Sequence, residues 1–193
     1  LISYTITLNS LNSLKDRIRL ISVIRCENNL IEDFKKVAAP FKNKKIIFNS
    51  DNGLYNAINI ALDEVDNKLP FLCLHSGDLL FNESKQLLEK LLKKPMFKYS
   101  LYLFSTYLFK LDNQNSKDLM EKPNNSVYVK NLIRREPENY IIRRIYLFFT
   151  YNIHQSIIYS PEMSSLRFDE NVGLAADILY NFKAYRISKK LIR

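Results

Sequence analysis

Ser50-Asp51-Asn52-Gly53-Leu54-Tyr55-Asn56-Ala57-Ile58-Asn59, followed by Leu69-Pro70-Phe71-Leu72-Cys73-Leu74-His75-Ser76-Gly77-Asp78, is the part of the chain whose reading decides the fold. Its first half is turn chemistry, Asp-Asn-Gly, feeding a helix over Leu54–Val65 whose apolar positions Leu54, Ala57, Ile58, Ala61, Leu62 and Val65 share one face. Its second half is an apolar run, Leu69–Leu74, that predicts a strand buried on both faces, as in a parallel sheet. The run stops at Ser76-Gly77-Asp78. Ligands of open α/β sheets bind at the carboxyl ends of strands, so a carboxylate set there by a glycine turn is a candidate site.

Glycine usage points to the same stretch. The chain has only three glycines, Gly53, Gly77 and Gly173, and two of them flank this region. So sparing a use marks places where the backbone needs a positive φ or a close approach. The plainer alternative is two ordinary turns bracketing a core strand.

Asp51-x-Gly53-Leu54-Tyr55-Asn56-Ala57-Ile58-Asn59 resembles the Asp-x-Gly-Ile-Tyr-Asp-Ala-Met-Asn-Lys-Gly segment of family 2 glycosyltransferases, above all those that build bacterial capsule, O-antigen and exopolysaccharide chains. Phe71-Leu72-Cys73-Leu74-His75-Ser76-Gly77-Asp78 resembles their Phe-Leu-Asn-Ser-Gly-Asp metal motif, in the same order and at a matching distance. Downstream, His154-Gln155, Asp169-Glu170 and Ala175-Ala176-Asp177 resemble the family's His-Gln pair, Asp-Glu turn and Ala-Ala-Asp helix start. The resemblance implies an α/β chain with a single GT-A-type, Rossmann-like domain and a mostly parallel central sheet flanked by helices. Residues 1–92 would form its nucleotide-sugar half and residues 93–193 its acceptor half.

The same resemblance assigns roles. Asn9, Asp51, Gly53, Tyr55, Asn59, Ser76 and Gly77 would contact the nucleotide-sugar, with a UDP-sugar the expected donor. Asp78 would bind a divalent cation, Mn²⁺ or Mg²⁺, since both favour hard oxygen ligands and share them with phosphates. Asp177 would be the general base of an inverting displacement, and His154 and Gln155 would shape the acceptor pocket. An Asp at a helix start is also an ordinary cap or dipole partner, and His154 equally suits a structural core histidine. Departures are plain: Arg25-Cys26-Glu27-Asn28-Asn29 stands where relatives carry an acidic, base-reading turn. Ile60-Ala61 replaces Lys-Gly, and His75 and Gly77 stand where relatives often have Asp.

Composition narrows the classes. A chain of 193 residues allows one domain with a sizeable core, and no apolar run approaches the ~20 residues of a membrane span. Nothing resembles a signal peptide, and Cys26 and Cys73 read as reduced core thiols, so the expected location is cytoplasmic, at most at the inner face of the membrane. The net charge of +9 invites anionic partners, but no basic stripe interleaved with aromatics marks a nucleic-acid surface. The expected partners are a nucleotide-sugar and a saccharide or lipid-linked acceptor, with peripheral membrane contact through the aromatic run Tyr140–Tyr151, whose plainer reading is partly buried core.

Along the chain, Ile2–Leu8 alternates and predicts the first strand, ending in the Asn9–Ser13 loop that resembles the family's Thr-Tyr-Asn turn. Strands are predicted at Ile18–Ile24, Lys45–Phe48 and Tyr99–Phe109, and helices at Leu30–Ala38 and Lys85–Leu92. Asp112–Asn125 reads as a surface loop. A parallel crossover needs about a dozen residues, so the short link near residues 16–18 leads us to expect missing residues there and beyond residue 193; a short non-helical connection is the alternative. Two other functions stay open. A nucleotidyltransferase would need a Gly-rich phosphate loop, which Asn9–Ser13 lacks, and a nucleotide-binding relic of the same fold would explain the depleted metal motif.

Overall fold

The computed structural model describes residues 1–49, 52–91, 93, 96–103, 106–108, 127–129 and 154–192. The architecture is mixed α/β. Two compact units divide it, one formed by Leu1–Glu64, Leu74–Pro95 and Asn113–Lys122, the other by Val65–Cys73, Met96–Asp112 and Pro123–Arg193.

The first unit is built on a parallel βαβ element. Strand β1 (Arg19–Ile24) pairs in parallel with β2 (Asn43–Phe48), and helix α2 (Ile31–Ala38) lies between them in sequence. Leu20, Ser22 and Ile24 are the buried residues of β1, at the period of two that a strand requires. Leu20 and Ile24 join Phe34 and Ala38 of α2, Phe41, and Tyr4, Leu8 and Leu11 in one hydrophobic cluster. Helix α3 (Leu54–Asp63) packs on β1 and buries Ile58 and Leu62. Helix α4 (Asn82–Leu91) completes the unit. Both helices start and end within a few residues of expectation.

The first predicted strand is a correction. Ile2–Leu11 is an α-helix, α1. The segment carries two patterns at once: its apolar residues alternate at positions 2, 4, 6 and 8, while Tyr4, Leu8 and Leu11 also recur at helical spacing. The helical pattern prevails because those three residues enter the cluster, whereas Ile2 is left 78% exposed. Tyr4 also donates a buried hydrogen bond to Ser22 Oγ of β1 at 3.0 Å. No side chain caps α1, and no charge complements its dipole, so tertiary packing rather than local signals holds it. The link to β1 is a tight turn in which the N–H groups of Arg17 and Ile18 donate to Leu14 O. With α1 helical, this link does not have to serve as a strand-to-strand crossover.

The second unit holds a four-stranded sheet in the order β3 (Phe71–Leu72), β7 (Ile157–Tyr159), β4 (Ser100–Leu103), β8 (Lys190–Ile192). Both β7 pairings are antiparallel, and β4 runs parallel to β8. A separate antiparallel pair joins β5 (Thr106–Leu108) to β6 (Val127–Val129). The mostly parallel central sheet expected from the sequence is therefore corrected among the described residues, where parallel pairing is confined to β1–β2 and β4–β8. The Leu69–Leu74 expectation is corrected with it. Only Phe71 and Leu72 are in a strand, which pairs antiparallel at the end of its sheet, and Leu69 is 47% exposed. An apolar run fits a strand covered on both faces and an end strand equally well, and periodicity does not separate them.

Aromatic stacking fills this unit. The Phe71 ring stacks on Tyr159 at 5.1 Å, Tyr159 meets Tyr180 edge-on, and Tyr180 stacks on Phe168 at 4.0 Å. Tyr180 comes from helix α5 (Ala176–Ile187). The buried hydroxyls find acceptors, Tyr159 in Asn181 Oδ1 at 2.6 Å and Tyr180 in Met163 O at 3.0 Å. Burial pushes the Cys73 thiol up to about 12, so it is an inert protonated thiol near neutral pH. Among the described residues no helix is long and apolar enough to cross a membrane. The Tyr140–Tyr151 run and the Asp112–Asn125 loop lie outside the described residues.

Candidate functional site

The Ser76-Gly77-Asp78 motif forms a tight turn. Asp78 N–H donates to His75 O at 3.0 Å, while the Asp78 carboxylate accepts from His75 N–H through Oδ2 at 2.6 Å. Gly77, third in the turn, has φ +107°, a conformation an L side chain rarely adopts. Glycine is thus needed here for backbone conformation. Oδ1 of Asp78 has no hydrogen-bond partner among the described residues, and the side chain is half-buried.

Two hydroxyls of α1 hold this turn. Thr7 Oγ1 accepts from Gly77 N–H at 2.8 Å and donates to His75 O at 3.3 Å. Ser10 Oγ accepts from Leu80 N–H at 3.2 Å and donates to Thr7 O at 2.7 Å. Both residues are buried, so the turn's backbone groups find partners inside the unit. Sequence reasoning missed both. Their signal was two small hydroxyl residues three apart on one helical face, which is invisible once residues 2–8 are read as a strand.

The other nucleotide-sugar candidates lie on α1 and α3. Asn9 sits on the exposed side of α1, and it is Thr7 and Ser10 that touch the turn. Gly53 is the N-cap of α3 at φ +120°, ψ 178°, a region essentially reserved for glycine. Asn56 Oδ1 accepts from Asn52 N–H at 3.2 Å and steadies this helix start. Tyr55 and Asn59 are half-buried on α3. Asp51 and Ser50 lie outside the described residues.

In the second unit His154 opens a short turn of 3₁₀ helix, His154–Ser156, that leads into β7. Asp177 stands in the first turn of α5, after Gly173 at φ +55°, ψ −134° breaks the preceding 3₁₀ stretch. The two side chains meet: His154 Nδ1 lies 3.6 Å from Asp177 Oδ2, an ion-pair distance for a protonated imidazole. Asp177 Oδ1 accepts from Ile178 N–H at 2.8 Å. Phe168 packs edge-on against the imidazole at 5.7 Å. Both partners are buried, His154 at 2% and Asp177 at 4% exposure. Gln155, the neighbouring acceptor candidate, is half-buried. Asp169 caps its 3₁₀ segment by accepting from Asn171 N–H at 3.0 Å.

A divalent cation finds limited protein ligation here. Among the described residues no three His, Cys, Asp or Glu side chains converge on one point. One carboxylate whose Oδ1 has no hydrogen-bond partner among the described residues fits Mg²⁺ or Mn²⁺ that arrives with a diphosphate and keeps its waters, and does not fit an ion caged by protein alone. No family model matches the chain, and comparisons with curated proteins and with solved structures give no match either.

Proposed function

We propose that this chain transfers a sugar from a nucleotide-diphosphate sugar, a UDP-sugar first, to a saccharide or lipid-linked saccharide in bacterial surface polysaccharide synthesis, on a GT-A-type scaffold at the cytoplasmic side of the membrane. The observation that carries the reading is Asp78, which the glycine turn of a family 2-like motif holds half-buried, with no hydrogen-bond partner on Oδ1 among the described residues. The β1–α2–β2 unit supports a Rossmann-like scaffold.

In the proposed reaction the acceptor oxygen attacks the anomeric carbon, the bond to the diphosphate breaks, and the nucleoside diphosphate leaves with that electron pair. A divalent cation, when bound, would neutralise charge on the leaving diphosphate, and Asp78 would hold it through Oδ1. Asp177 takes the acceptor's proton, for which the hydroxyl must reach Oδ2 beside His154, since Oδ1 is engaged by Ile178 N–H. The burial of His154 and Asp177 favours a second reading, a nucleotide-binding relic in which this pair is purely structural.

Incubation with a panel of nucleotide-sugars and Mn²⁺ separates them. Transfer predicts slow donor hydrolysis without acceptor, abolished in Asp78→Ala while circular dichroism stays native. A wild-type protein that binds UDP and never releases it from a donor supports the relic. Full activity in Asp78→Ala removes that carboxylate from the mechanism.

A further inference from the structure

We infer that Thr7 and Ser10 are positioning residues for Asp78. Their hydroxyls fix the His75–Leu80 backbone, and that backbone in turn holds the carboxylate. The inference rests on the glycosyl-transfer reading of Asp78.

The geometry runs through six hydrogen bonds. Gly77 N–H ends on Thr7 Oγ1, which returns its own proton to His75 O, the carbonyl that also closes the turn from Asp78 N–H. His75 N–H, on the same residue, holds Asp78 Oδ2. Moving His75 therefore rotates the carboxylate. Ser10 anchors the far side through Leu80 N–H, and its link to Thr7 O joins the two hydroxyls on one face of α1. A glycine at φ +107° has more conformational freedom to lose than any other residue, so an external clamp is what keeps this turn in one state. Groups that orient a metal-binding carboxylate from behind typically matter about 10- to 100-fold in metal affinity.

Thr7→Val removes the hydroxyl at nearly constant volume, and Thr7→Ser restores it. Two measurements are read: amide hydrogen exchange at Gly77, and Mn²⁺-dependent binding of UDP. Thr7→Val should raise Gly77 exchange by about tenfold or more and weaken Mn²⁺-dependent UDP binding by roughly 10- to 100-fold, with metal-free UDP binding unchanged. Thr7→Ser should return both towards wild type. If Thr7→Val does not fold, Ser10→Ala, read at the Leu80 amide, carries the same test. Faster exchange with unaltered Mn²⁺ dependence leaves the hydroxyls purely structural and overturns the inference, as does unaltered exchange. A wild-type protein that binds neither Mn²⁺ nor UDP sinks the glycosyl-transfer reading instead, and the exchange data then judge the clamp alone.

Discussion

Two polar clusters among the described residues are built in opposite ways. In the first unit, the Asp78 turn is a half-buried piece of backbone in which Thr7 and Ser10 hold Gly77 N–H, His75 O and Leu80 N–H, and Asp78 Oδ1 has no hydrogen-bond partner among the described residues. In the second, Asp177 and His154 are buried side chains, the imidazole edge-on to Phe168, with one Asp177 oxygen held by backbone and the other facing the imidazole. A group that must meet a diphosphate needs open coordination, while a group in a tight core gains from being enclosed. The first cluster thus has the build of a ligand site. The second has the build of a device that fixes the start of α5, unless an acceptor reaches it.

Asp177→Asn tests that contrast with the largest expected effect. It keeps the shape and the Ile178 hydrogen bond but removes the basicity. As a general base, Asp177 predicts a loss of roughly 10²–10⁴-fold in turnover with donor binding intact. A melted fold with normal turnover per folded molecule would instead make the pair structural and complete the contrast. Tyr159→Phe comes next. It strips the 2.6 Å hydrogen bond that the Tyr159 hydroxyl donates to buried Asn181 Oδ1. Urea denaturation should show a loss of about 0.5–1.5 kcal/mol. A change near zero would mean that this hydrogen bond adds nothing to the stability of the stacked aromatic core.

The smallest effect belongs to Glu162. Burial raises its pKa, but hydrogen bonds from its own N–H, Tyr99 N–H and the Ser160 hydroxyl, with the Lys98 charge, outweigh that and hold it below the usual carboxylate range. A carboxylate with a depressed folded pKa stabilises the fold above its unfolded pKa, and this contribution fades as pH falls through the folded value. Glu162→Gln should therefore lower stability at pH 6 to 7 by about 0.5 kcal/mol or less, in keeping with a solvent-screened group. The gap to wild type should close below about pH 4. Because Glu162 holds Tyr99, whose φ is +53°, a larger effect would reveal strain stored at the start of β4.

Strand β2, helix α3 and helix α4 were legible from local pattern, most plainly α3, where Asp-Asn-Gly stands before Leu54. Asp177 was placed at its helix start by a resemblance of short motifs, and Gly77 by glycine scarcity. The turn and glycine signals are local properties, written in propensity and backbone freedom. Tertiary structure alone decided α1, β3 and both polar clusters. Residues 2–11 satisfy two periods, and only the partners of Tyr4, Leu8 and Leu11 choose between them. Phe71–Leu72 takes its end position from β7, far along the chain. Thr7 meets Gly77 across 70 residues and His154 meets Asp177 across 23, and neither meeting has a local trace, because a hydroxyl or carboxylate is paired by the packing that surrounds it.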